Sequence, residues 1–118
     1  MFGEYLVGDI QLSAVKSQTV LDPFGGSQPL PGATVTYQVV VTATGSGAAT
    51  GATFVDTIPA ATTYVAGSIT LNGAALTDAV DADAGRFNAP PTPNVTVALG
   101  DLTSAAGPQT IVFSVTID

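Results

Sequence analysis

The strongest constraint on what this chain can fold into is a two-residue repeat of its apolar side chains. Over residues 34–42, Val35, Tyr37, Val39 and Val41 alternate with Thr34, Thr36, Gln38 and Thr42. Successive side chains of an extended backbone point to opposite faces, so this pattern predicts a strand with one face on a core and the other toward solvent. Residues 110–117 repeat the design: Ile111, Phe113, Val115 and Ile117 face inward, Thr110, Ser114 and Thr116 face outward, and Val112 interrupts the polar face. Weaker strands are expected at residues 52–58, 62–71, 74–78, 85–87 and 94–99, with Lys16 in a first strand. No helix longer than a turn is expected.

The punctuation supports an all-β fold. Asn72-Gly73 joins two short apolar runs, and this pair tolerates the positive φ angles of a two-residue type I′ hairpin. Stretches 22–32, 44–51, 88–93 and 103–108 are rich in Gly, Pro, Ser and Ala and read as surface connections. About seven short strands, each amphipathic, need a second apolar layer, which predicts an immunoglobulin-like antiparallel β-sandwich. With no Cys and no Trp, its core rests on aliphatic side chains, Phe and Tyr. Burying one such side chain contributes roughly 1.5–3 kcal/mol, so Asp at Val39 or Phe113 is expected to unfold the chain.

Composition narrows the function. Lys16 and Arg86 stand against nine acids, for a net charge of -7, so nucleic acid is not an expected partner. Without His or Cys the chain lacks Ser-His-Asp and Cys-His nucleophiles and imidazole or thiolate metal sites, and no catalytic residue is assigned. No apolar run approaches the roughly 18–20 residues that span a bilayer, so no membrane span is expected.

Several motifs in succession resemble the bacterial and archaeal surface-repeat family known as domain of unknown function eleven. They are Pro31-Gly32-Ala33-Thr34-Val35-Thr36-Tyr37, Thr42-Ala43-Thr44-Gly45-Ser46-Gly47, Val55-Asp56-Thr57-Ile58-Pro59, Thr63-Tyr64-Val65-Ala66-Gly67-Ser68 and Leu99-Gly100-Asp101-Leu102, closing on Phe113-Ser114-Val115. The resemblance runs from about Asp9 to the end. It implies an extracellular immunoglobulin-like sandwich of adhesin, cell-surface or matrix type, with no catalytic activity and no site residues to carry over. Ala43 departs from the pattern, where such repeats commonly carry Asn before Thr-Gly, and the connection 22–30 is long.

That footprint makes residues 9–118 the sandwich domain and leaves residues 1–8 as an N-terminal extension. Met1, Phe2, Tyr5, Leu6 and Val7 are apolar, which is unlike a linker. A strand of this kind either pairs at an edge of its own sandwich or adds to another copy, and the second arrangement propagates into a homopolymer. The expected function is therefore a structural subunit of an extracellular, pilus-like surface filament assembled by donation of this strand. The alternative is an adhesive or stalk module of a tandem-repeat surface protein, stabilised by calcium and binding host or cell-surface ligands.

Asp78, Asp81 and Asp83 crowd a turn-rich stretch and form a candidate calcium site, set against their being solvated charges on a hairpin. Asn94-Val95-Thr96 is a glycosylation sequon, which makes Asn94 a candidate acceptor. Lys16, with an acid such as Asp56 nearby, has the residue type for an intramolecular isopeptide bond. The last strand lacks the Asn such a bond needs, and a solvated amine is the ordinary reading.

Overall fold

The computed structural model describes residues 6–7, 10–78, 85–88 and 93–118, and every structural statement below concerns these. Ten strands are described: β1 (Leu6–Val7), β2 (Ile10–Leu21), β3 (Thr34–Gly45), β4 (Ala48–Thr57), β5 (Thr62–Tyr64), β6 (Thr70–Leu71), β7 (Ala74–Ala75), β8 (Gly85–Asn88), β9 (Asn94–Leu102) and β10 (Gln109–Ile117). One short 3-10 turn, Ser104–Ala106, precedes the last strand. The strands form two antiparallel sheets, one ordered β1-β4-β9-β8 and the other β2-β3-β10-β6-β7, with β5 also on β10. This is the all-β sandwich that the alternation predicts.

The core lies where the two regular strands meet. β10 pairs with β3 so that Ile111 faces Val39, Phe113 faces Tyr37 and Val115 faces Val35. All six are buried, and the Tyr37 and Phe113 rings pack tilted with centroids 5.2 Å apart. The other sheet closes over them with Ala49, Ala52, Phe54, Val95, Val97 and Leu102. Ala43 sits inside this cluster, 6% exposed. An Asn at this position would carry its amide into the apolar layer, so alanine packs where the resemblance would place a polar side chain.

The structure departs from the expected elements in three places, each for a local reason. Residues 44–51 are not a surface connection. β3 runs on to Gly45, β4 begins at Ala48, and only Ser46-Gly47 turn the chain from one sheet to the other. Of the small residues that suggest a loop, Ala49 is fully buried and most of the rest lengthen β3 and β4. Stretch 62–71 is broken into β5 and β6, which pair with opposite ends of β10. At the break Gly67 takes a φ of 74°, Ser68 Oγ accepts the Ser114 N–H at 3.0 Å, and Ile69 is driven fully into the core. Stretch 74–78 is a strand only at Ala74–Ala75, because Asp78 is drawn aside by Tyr64 and Gly67.

The Asn72-Gly73 hairpin forms as read: φ is 52° at Asn72 and 86° at Gly73, and Leu71 faces Ala74 across the turn. Asn72 does more than turn the chain. Its Oδ1 accepts the Thr110 N–H at 2.8 Å and its Nδ2 donates to Gln109 Oε1 at 2.8 Å, which pins the hairpin to the start of β10.

Candidate functional site

The flank where β1, β2 and β4 come together carries the features most relevant to function. β2 pairs with β3 in unbroken register from Ile10 opposite Gly45 to Leu21 opposite Thr34. Lys16 stands opposite Val39, which is buried, so the lysine belongs to the inward face of β2. In the other sheet Asp56 stands opposite the buried Val95 and also faces inward. The two meet across the gap between the sheets, Nζ to Oδ2 at 2.6 Å, and the ammonium lies 4.4 Å from the centre of the Tyr37 ring. Asp56 Oδ2 is buried and has no hydrogen-bond partner, so the ammonium is what balances its charge. Side-chain exposure is 42% for Lys16 and 20% for Asp56, which makes this a half-wet clamp on an open flank. The acid that the sequence suggested as a neighbour of Lys16 is thus beside it.

On the same flank, Leu6–Val7 pairs antiparallel with the start of β4, Leu6 opposite Ala49 and Val7 opposite Ala48. Among the described residues, the outer edge of β4 has no strand partner beyond these two positions. The other edge of β4 is taken by β9 along its length, with a bulge around Ala52 where Gly51 takes a φ of 63° and donates its N–H to Asp101 Oδ1 at 2.8 Å. Met1, Phe2 and Tyr5, the remaining residues of the expected donor strand, lie outside the described residues.

Of the expected calcium ligands only Asp78 is described; Asp81 and Asp83 are not. Both Asp78 carboxylate oxygens are engaged by the protein: Oδ1 accepts the Tyr64 hydroxyl at 2.6 Å and Oδ2 the Gly67 N–H at 2.8 Å. Burial, with the Asp78 carboxylate next in effect, pushes the Tyr64 phenol up to about 12. Its ring stacks on Phe87, centroids 4.3 Å apart. Asp78 therefore fastens the end of the β6–β7 hairpin to β5 and β8. Among the described residues no group of three or more carboxylate, imidazole or thiolate side chains comes together around a common point.

Asn94 opens β9 and is half-buried there. Its Oδ1 accepts hydrogen bonds from Asn88 Nδ2 and, at 3.1 Å, from Thr96 Oγ1, and Asn88 Nδ2 also reaches Thr96 Oγ1 at 3.0 Å. Both polar members of the sequon thus belong to a cross-strand network.

Sequence reasoning missed Asp22, which organises the long connection between β2 and β3. It is 6% exposed, and its carboxylate accepts N–H groups from Phe24 at 2.8 Å, Gly26 at 2.9 Å and Gln28 at 3.1 Å. The bonds from Gly26 and Gln28 lead in holding its carboxyl below the ordinary value of 3.8. The signal was present as an Asp immediately followed by Pro-Phe-Gly-Gly, a side-chain-capped turn. Comparison of the chain with protein-family models, curated proteins and solved structures finds no match.

Proposed function

We propose that this chain is a structural, non-catalytic subunit of an extracellular surface filament, in which the N-terminal segment of one copy adds as a strand to β4 of the next. One observation carries the reading: Leu6–Val7 already pairs with the outer edge of β4, at two residues only, while the rest of that edge has no partner among the described residues. A ladder of two residues contributes a few hydrogen bonds at roughly 0.5–1.5 kcal/mol each, so opening it within one chain costs little. The same pairing made with a neighbour restores what was lost, and a head-to-tail contact of this kind repeats without closing. Apolar Met1, Phe2 and Tyr5 supply further residues for the longer edge. The resemblance to surface-repeat domains supports an extracellular setting.

The second reading is a stalk or adhesive module that stays monomeric, with β1 as the first strand of its own sheet. It is favoured by the pairing of Leu6–Val7 with β4 of the same chain. Size-exclusion chromatography and negative-stain microscopy of the full chain, alone and with residues 1–8 deleted, separate the two. Filaments that disappear on deletion support donation. A full chain that is monomeric at all concentrations supports the stalk, and filaments indifferent to the deletion contradict donation.

A further inference from the structure

Among the described residues a second open edge lies on β2, in the other sheet. β2 is paired with β3 along its whole length, and among the described residues nothing pairs with its far side. Exposed edge strands are normally blunted by shortness, bulges, proline or charge. At the opposite margin of this sheet shortness suffices, since β7 is two residues long. β2 has twelve residues, no Pro, no Gly and no register shift. Its one charge, Lys16, faces inward and is met by Asp56 within the same chain. On the outward face Val15 is 67% exposed and Leu21 62%.

The distribution of charge says what fits there. The chain carries nine acids, yet none falls in Ile10–Leu21 or in its partner strand Thr34–Gly45. A second copy approaching this ribbon therefore meets no carboxylate on it, although the molecules as wholes repel at a net charge of -7. We propose that β2 pairs edge to edge with β2 of a second copy, antiparallel about a two-fold axis, making one continuous sheet across two molecules. This contact is independent of strand donation, which uses β4 in the other sheet.

Geometry limits the register. Residues directly opposite in an antiparallel pair share a face, so the axis passes through a residue rather than between two. Centring on Lys16 would oppose two ammonium groups. Centring on Val15 sets Lys16 opposite Ala14, Ser13 opposite Ser17, and the two exposed Val15 side chains against each other. That register is assigned.

The test uses single cysteines in the full chain, which has none of its own, so a disulfide in such a variant joins two copies. Oxidation of Ser13→Cys, Val15→Cys, Ser17→Cys and Thr19→Cys, read on a non-reducing gel, is expected to peak at Val15→Cys. In the Val15→Cys chain, adding Ser13→Lys and Ser17→Lys opposes like charges twice and is expected to cut cross-linking about tenfold. Ser13→Glu with Ser17→Lys turns both pairs attractive and restores it. Circular dichroism checks that each variant keeps its strands. An even cross-linking profile, or two lysines without effect, or no restoration by the Glu/Lys pair, overturns the proposal.

Discussion

Replacing Lys16 by Met tests whether the inter-sheet clamp holds the open flank. The substitution keeps the length of the side chain and removes its charge, leaving Asp56 Oδ2 buried with nothing to balance it. Breaking a fully buried pair from one side costs roughly 3–5 kcal/mol, whereas a fully exposed pair contributes roughly 0–1. With Lys16 42% exposed, water reaches this site, and the expected loss is about 1–2 kcal/mol, including the contact with the Tyr37 ring. For a urea slope of about 2 kcal/mol per molar, the unfolding midpoint should fall by roughly 0.5–1 M, followed by circular dichroism. The companion variant Lys16→Met/Asp56→Leu removes both charges and should recover most of the loss, because an apolar pair has no charge left to neutralise. A Lys16→Met midpoint within error of the parent, or a double variant worse than the sum of the two singles, would refute the clamp.

Other contacts carry four further predictions. Asp22 has a depressed folded pKa, so its contribution is present above 3.8 and is lost as pH falls through the folded value. Thermal melts from pH 6 to 2 should therefore show Asp22→Ala converging on the parent in acid. Gly26→Ala brings a methyl 2.7 Å from Asp22 Oδ2 and should cost about 1–3 kcal/mol at neutral pH by the same melts. Tyr64 has a raised folded pKa, so its contribution is complete below 10 and is lost between 10 and about 12. Alkaline unfolding should begin earlier in Asp78→Asn, with one phenolate absorbance step moving toward 10. Calorimetric titration with calcium is expected to give no saturable heat, since Asp78 is engaged by Tyr64 and Gly67; heat abolished by Asp81→Asn or Asp83→Asn would establish the metal site instead.

The parts of the fold legible in the sequence are those where one physical signal dominates. β3 and β10 announce themselves by alternation, and the Asn72-Gly73 turn by the φ angles only such residues accept cheaply. Stretch 44–51 misled because Ala, Gly and Thr are both loop formers and the small side chains that let two sheets approach; composition does not separate the roles, and the burial of Ala49 does. The break at Gly67 depends on Ser68 meeting Ser114, a partner 46 residues away, which no local window contains. The candidate site was half legible. The apolar opening marked residues 1–8, and Lys16 and Asp56 were singled out, but only the sheet order sets them on one flank. The clustering of Asp78 with Asp81 and Asp83 suggested a shared role, whereas the hydroxyl that takes up Asp78 comes from β5.

The claim that one copy lends its first strand to another is tested most directly by mixing two cysteine variants. Val7 faces Ala48 across the β1–β4 ladder, so a chain carrying only Val7→Cys and a chain carrying only Ala48→Cys join through these positions only if the strand leaves its own molecule. A mixed disulfide is expected on oxidation of the two together, and loss of filaments when the disulfide is instead closed within one chain carrying both cysteines. Cross-linking confined to that double variant, with none in the mixture, would contradict it.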